Sequence, residues 1–447
     1  MKENIKKNTV ITSSSNHSFV FYIDNNHNLI SQQIYIDNNS TNTTVIENNI
    51  LDFSAIIDKN DRIHLLYLLK NGELIYSIYL NEKWQKNLIG KLDTKSNIYK
   101  YLNLFLHEKH ISIFYVFANL INTNLWTIEE ITQDSVNWKK RTITNTFSEK
   151  NFSPIYIDRD NFGGIHLVYK AKEYSFNQIY YTFYNAFTEK WSPISNKISS
   201  SATNNILPYL FVDSRNNVHI LWYSSIDGKY LLTYKRLSSM GQNKYQWTEI
   251  RLPKIIASNF PSIMFEKDNK LNIIYITKEE LCCLVSQDFG KNWMLENEIP
   301  LSSSTLHLIE YHSNLSTHNS DKINHCYGNI DKNIYFFIDE NLEKEDLNKI
   351  TVSSLDLDDK DKNTIEKQEE KIISQDIETD KLRELNTLLW ETYNQTIENY
   401  NSIEKNSISL KEIIDTENDI RNELKLIKEK IMDIEKKQNN KKGFFRL

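Results

Sequence analysis

The stretch DKNDRIHLLYLLKNGELIYSIYLNEKW (58–84) decides the fold, because the chain repeats it. It reads as a polar Asp/Asn turn, a β-branched apolar run, a short polar turn, a second apolar run and a tryptophan. DRDNFGGIHLVYKAKEYSFNQIYYTFYNAFTEKW (158–191) and DSRNNVHILWYSSIDGKYLLTYKRLSSMGQNKYQW (213–247) follow the same plan, as does EKDNKLNIIYITKEELCCLVSQDFGKNW (266–293). A further unit spans 107–138. The closing tryptophans Trp84, Trp138, Trp191, Trp247 and Trp293 are spaced by 54, 53, 56 and 46 residues. Runs such as FSAII, SPIYI, LPYLFV and PSIMF precede each polar turn and add one strand per unit.

Four strands in about fifty residues, with no helical stretch between them, are the mark of a propeller blade. One four-stranded sheet cannot bury both faces, whereas a ring of such sheets stacks face to face. The expected fold is therefore mainly β, a six- or seven-bladed β-propeller of four-stranded antiparallel blades over 1–340. Units two to six, over 51 to about 300, are clear. Weaker strands at 18–39 and 305–339 read as first and last blades, giving seven, with six the alternative. The N-terminal strand near Thr9–Thr12 is expected to pair with the final one. Each tryptophan is expected to wedge between neighbouring blades. Glycine is scarce, 9 of 447 residues or about 2% against a usual ~7%. Asn and Asp are expected to take its place in the turns, since they tolerate left-handed backbone.

The composition also limits function. Residues 1–340 hold 34 basic and 34 acidic groups, so the body is neutral, which argues against nucleic acid as a partner. No GxxxxGK[ST] or GxGxxG phosphate loop occurs. Only Cys282, Cys283 and Cys326 are present, which supports neither a disulfide framework nor a zinc site; no metal and no cofactor are expected. No apolar run nears the ~18 residues of a membrane span, and the start lacks a signal-peptide stretch. The default localisation is cytoplasmic, or a surface location reached by unconventional export.

SQDFGKNW (286–293) fits S-x-D-x-G-x-x-W through Ser286, Asp288, Gly290 and Trp293. TQDSVNW (132–138) is a shortened copy without the glycine. On these residues the propeller resembles the sialidase-like, BNR (Asp-box) repeat family, which carries the box between the third and fourth strands. The resemblance implies a structural box. It does not extend to sialidase activity, because the family's early [FY]-R-I-P arginine motif is missing. Arg62, Arg159, Arg215 and Arg236 fall on the box face, opposite the family's active face, which only Arg141 and Arg251 could reach.

On that opposite face, Glu173 and Asp227 are candidates for a carboxylate pair able to do acid/base work, with Tyr174 and Phe176 as sugar-stacking rings. His64, His166 and His219 recur at equivalent positions, which makes them repeat-structural rather than a metal set.

From 341 the pattern changes: residues 341–447 carry 19 basic and 25 acidic groups. Residues 341–380 read as an acidic linker. An unbroken heptad frame at 382–434, within a helix over 381–440, predicts a coiled coil and a homo-oligomer. The tail 441–447 places Phe444, Phe445 and Arg446 among basic residues, suited to a membrane surface or a partner groove. The leading expectation is a non-catalytic binding or scaffold protein, its propeller presenting a face to a glycan or protein ligand and its coiled coil multiplying that face. The alternative is a divergent glycoside hydrolase or lyase using the acidic loops.

Overall fold

The computed structural model describes residues 7–336 apart from 36–39, 81–82, 108–110, 135–136, 150–151, 227, 242–243, 254, 257, 259, 278–279, 301–305, 316–320 and 330–334. The expectations for 341–380, 382–434 and the tail lie outside the described residues. No helix among the described residues is long and apolar enough to cross a membrane.

Six antiparallel blades follow one another along the chain. Blade 1 holds β1 (Asn8–Thr12), β2 (Ser18–Ile23), β3 (Leu29–Tyr35) and β4 (Ser40–Glu47). Blade 2 holds β5 (Ile50–Ile57), β6 (Ile63–Leu69), β7 (Glu73–Leu80) and β8 (Lys83–Lys91). Blade 3 holds β9 (Asn97–Leu106), β10 (Ile111–Asn119), β11 (Asn122–Asp134) and β12 (Asn137–Phe147). Blade 4 holds β13 (Tyr156–Arg159), β14 (Ile165–Glu173), β15 (Phe176–Asn185), β16 (Lys190–Trp191) and β17 (Asn196–Lys197). Both β16 and β17 pair with β15, so this outer strand is broken at Pro193, which has no N–H for the ladder. Blade 5 holds β18 (Asn205–Val212), β19 (Val218–Ile226), β20 (Lys229–Leu237) and β21 (Trp247–Glu249). Blade 6 holds β22 (Ile263–Lys267), β23 (Lys270–Ile276), β24 (Glu280–Ser286) and β25 (Met294–Pro300).

The reading of seven blades is corrected to six. The last strands, β26 (His307–Ser313), β27 (His325–Asn329) and β28 (Tyr335–Phe336), extend blade 1 inward instead of closing a blade of their own. The N-terminal strand does meet the final ones, but β26 runs parallel to β1, with Asn8 opposite Ile309 and Thr12 opposite Ser313. The β26–β27 hairpin then reaches blades on the far side. Tyr209 of blade 5 donates to the Met264 carbonyl and lies 3.3 Å from His325 Nδ1, and Tyr327 donates to the Pro261 carbonyl.

The core lies between blades, as face-to-face stacking requires. Trp84 meets Phe21 of the blade before it edge-on, with centroids 6.3 Å apart. Trp191 does the same to Phe114 at 6.2 Å, Trp247 to Tyr181 at 5.0 Å and Trp293 to Tyr234 at 5.7 Å. Trp138 packs against the buried cluster that contains Tyr76 of blade 2. Such edge-to-face pairs add to the burial of large rings.

The polar turns repeat one hydrogen-bonding scheme. The Oδ1 of Asp58 accepts the N–H of Asn60 and of Arg62 at 2.8 and 3.0 Å. Asp24, Asp160 and Asp213 bind the N–H groups two and four residues on in the same way. The residue three on is left-handed in each case: His27 at φ 62°, Asp61 at 58°, Gly163 at 84° and Asn216 at 61°. Three of these four positions do without glycine, because the aspartate hydrogen bonds offset the strain.

Candidate functional site

These turns also carry the recurring histidines. His64 Nδ1 lies 2.6 Å from the Tyr76 hydroxyl, and its Nε2 lies 3.1 Å from Asp58 Oδ2. His166 joins Tyr181 and Asp160 at 2.7 and 3.3 Å, and His219 joins Tyr234 and Asp213 at 2.7 and 3.1 Å. An ionised carboxylate only accepts, so Nε2 carries the ring proton in each pair. The three histidines are thus tied within their own blades, as repeat-structural residues should be.

Their exposure separates them. In blade 5 the His219 and Asp213 side chains are both 0% exposed, because the 286–293 turn of blade 6 closes over them. There Ser286 Oγ accepts the Gly290 N–H at 2.8 Å, and Asp288 Oδ1 accepts those of Lys291 and Asn292 at 3.0 and 2.9 Å. Phe289 of the same turn covers the Arg215 guanidinium at 3.6 Å. The matching turn of blade 3, TQDSVNW, is shorter and lacks the glycine. In blade 2, His64, Tyr76 and Asp58 line an open cleft.

That cleft, about 1370 Å³, is walled by blades 2, 3 and 4 and opens among their strand-one/two turns. Its floor is the β26–β27 hairpin with the N-terminal segment. Glu310 Oε1 lies 3.3 Å from His312 Nε2, and its Oε2 accepts from Thr9 Oγ1 at 3.3 Å and lies 3.8 Å from Lys7 Nζ. Lys322 Nζ reaches Asp158 Oδ1 at 2.8 Å. Tyr101 stands on the wall with φ 56°, its hydroxyl donating to the Phe152 carbonyl at 2.6 Å.

Electrostatically Asp58, Asp160 and Glu310 of the lining are held in the charged form. Burial opposes this at Asp58, but the Arg62 N–H and the His64 ring outweigh it and lower its pKa. At Asp160, His166 outweighs burial in the same way. Glu310 is lowered to about 2, since Lys7 and His312 overcome its burial. Burial lowers His325 to about 4 and also lowers His64, so both rings are neutral near pH 7. Tyr76 is pushed up by burial to about 12.

The residues singled out on the opposite face are not brought into this cleft. Glu173 pairs with Lys197 Nζ at 2.7 Å beside the β14–β15 turn, where Tyr174 is left-handed at φ 51°. Tyr174 and Phe176 are partly exposed there, and Asp227 lies outside the described residues. Sequence reasoning missed Lys7, Asp158, Glu310, His312, Lys322 and His325. For Asp158, Glu310, His312 and His325 the signal was there to read: charged residues and histidines inside short strands that ought to be apolar, as in LHLIEYHS (306–313).

One further cluster lies in blade 6. Ligand atoms of Glu280, Cys282 and Glu298 fall within 4.8 Å of one another, and burial with these carboxylates raises the Cys282 thiol pKa. All three cysteines are free thiols.

No family model and no curated protein matches the chain. Among solved structures it is similar to a fucose-specific lectin from Aleuria aurantia, at 14% identity and a TM-score of 0.39, over 66% of this chain and 96% of that one. It is similar to polysaccharide lyase Uly1 at 11% identity and a TM-score of 0.45, over 74% and 86%. A third likeness is to an α-L-arabinanase of Penicillium chrysogenum complexed with arabinobiose, at 9% identity and a TM-score of 0.38, over 62% and 93%. Likenesses this distant do not name a ligand for this chain.

Proposed function

We propose that the protein is a non-catalytic binding module whose cleft between blades 2, 3 and 4 takes a glycan, and that residues 382–434 multiply this site by self-association. The carrying observation is the state of three acids of the cleft. Asp58, Asp160 and Glu310 all sit below the ordinary carboxylate range, each tied to a histidine or a cation. A general acid needs the opposite shift. The acids whose burial does raise them, Asp52 and Glu266, are not among the lining residues. The cleft is larger than a typical small-molecule pocket and mixes polar groups with Tyr and Phe rings, which suits an oligosaccharide. Pairing single weak sites through a coiled coil would raise avidity by orders of magnitude.

The 286–293 turn keeps the likeness to BNR repeats at the level of the scaffold. Arg62 is committed to Asp58, Arg141 to Glu130 and Arg215 to Phe289, which speaks against a sialidase-type carboxylate clamp. A hydrolase or lyase remains the second reading, on one observation: His64 and Tyr76 share a 2.6 Å hydrogen bond inside the cleft and could exchange a proton. The sealed copy at His219 and Tyr234 favours a structural role for that pair.

The test is a panel of labelled oligosaccharides offered to the full-length protein, with binding and turnover both measured. Binding without turnover is expected, weakened by Arg159→Ala and untouched by Glu173→Gln. Turnover that disappears in Tyr76→Phe would replace the binding reading with the catalytic one. Binding lost in Glu173→Gln would return the site to the opposite face.

A further inference from the structure

Resting on the cleft being a glycan site, we propose that its ligand is a neutral saccharide with one sugar ring stacked on Phe162. Phe162 lines the cleft and is 80% exposed. Its exposure does not come from a loose loop. Its N–H donates to Asp160 Oδ1 at 2.9 Å, and the next residue, Gly163, donates its N–H to the Asp160 carbonyl at 3.2 Å. The preceding residue, Asn161, is pinned to blade 5: its N–H donates to Asn216 Oδ1 at 2.7 Å and its side-chain amide to the Ser214 carbonyl at 2.9 Å. A firmly held turn thus holds an aromatic face out at the mouth of a polar cleft. Stacking on the C–H face of a sugar uses that surface, while the sugar hydroxyls meet polar walls.

Neutrality follows from the pairing of the cleft's cations. Arg62 directs its Nε and a terminal nitrogen at Asp58 Oδ2, both at 2.6 Å. The Lys322 ammonium donates to Asp158 Oδ1 and the Val212 carbonyl at 2.8 Å and to the Arg159 carbonyl at 3.2 Å, which uses all three of its protons. Lys7 donates to the Leu102 carbonyl at 2.6 Å and faces Glu310. An acidic sugar entering among Arg62, Lys322 and Lys7 would have to break one of these pairs, whereas a neutral one breaks none; the other lining basic side chains, Lys59 and Arg159, are exposed to solvent. Arg159 is exposed at the mouth, where salt and water screen its charge; one N–H donates to the Leu106 carbonyl at 2.9 Å and the others can meet hydroxyls.

The experiment titrates full-length protein with two oligosaccharide panels, one neutral and one carrying uronate or sulfate groups, each at low and high salt. Neutral ligands should bind with little salt dependence. Phe162→Ala should weaken them on the order of tenfold while Phe162→Trp keeps the affinity, and both variants should melt like the parent. Binding confined to the acidic panel, steeply salt-dependent and indifferent to Phe162→Ala, would leave a glycan site in place and overturn this inference. Binding of neither panel would remove the glycan reading and this inference together.

Discussion

The Tyr234 hydroxyl shares its one proton between His219 Nδ1 of its own blade at 2.7 Å and the Gly290 carbonyl of the next blade at 3.2 Å, and a Cβ on Gly290 would overlap that hydroxyl oxygen. This contact joins a turn on blade 6 to the Asp213–His219–Tyr234 chain of blade 5, so the glycine has two reasons to be there. Its φ is +82°, and the space above it is filled.

Gly290→Ala should therefore destabilise the propeller by about 1–3 kcal/mol, through left-handed strain and displacement of Tyr234. Asp288→Ala should cost a similar amount by freeing the Lys291 and Asn292 N–H groups. Both losses should show in denaturant melts, with cleft binding unchanged in whatever fraction stays folded. A variant that melts normally but binds no ligand would contradict the purely structural role.

The same chain of groups gives a comparison between blades. Tyr234→Phe leaves His219 Nδ1 buried without a partner, which should cost about 1–3 kcal/mol. Tyr76→Phe makes the equivalent deletion at the cleft wall, where water can replace the hydroxyl, and should cost less. Equal losses from the two would mean that the blade 2 copy is sealed as well.

Acid should destabilise the fold in two stages. The folded His325 value, about 4, lies below its ordinary 6.5, so the unfolded chain takes up the proton first. Stability present above pH 6.5 is then lost as pH falls towards 4, at up to roughly 1.4 kcal/mol per pH unit. The folded Glu310 value, about 2 against 4.5, extends the loss from 4.5 downward, because its salt link to Lys7 and His312 disappears on protonation. Melts at stepped pH should show His325→Asn flattening the upper window and Glu310→Gln the lower. A stability that stays flat from pH 7 to 4 in the parent would refute the assignment to His325.

How much of this was legible beforehand depended on periodicity. Trp84, Trp191, Trp247 and Trp293 announce the blades because each performs the same wedging task at a similar interval. The strand limits of blades 2 to 6 follow from them. That the N-terminal strand meets the last strands was expected, but not that β26 would run parallel to β1, nor that β27 would carry His325 where an ordinary inner strand would be apolar. The site was legible only in part. A face could be argued from topology, but His64, Tyr76 and Asp58 look in sequence like their sealed counterparts in blade 5, and nothing in that local pattern shows that they line a cleft. Thr9 and Glu310 meet from 301 residues apart, Lys322 reaches Asp158 of blade 4, and no local pattern brings such groups together.

The last prediction concerns the heptads at 382–434. Leu410, Ile413, Glu417, Ile420, Leu424, Ile427, Ile431 and Ile434 follow one another in alternating steps of three and four residues, the period expected of a left-handed coiled coil, and Asn399 and Asn406 fall at seam positions that would fix its register. The mass in solution should therefore be a multiple of 53.0 kDa. Ile420→Asp with Ile427→Asp places two charges in the seam, where unpaired burial costs several kcal/mol. That double variant should sediment as a monomer while its propeller melts as before, and its binding to a surface dense in ligand should fall far more than its affinity for a single ligand molecule, because only avidity has been removed. A parent protein that is already monomeric at micromolar concentration would defeat self-association, leaving the arm as a helix that seeks a different partner through Phe444, Phe445 and Arg446.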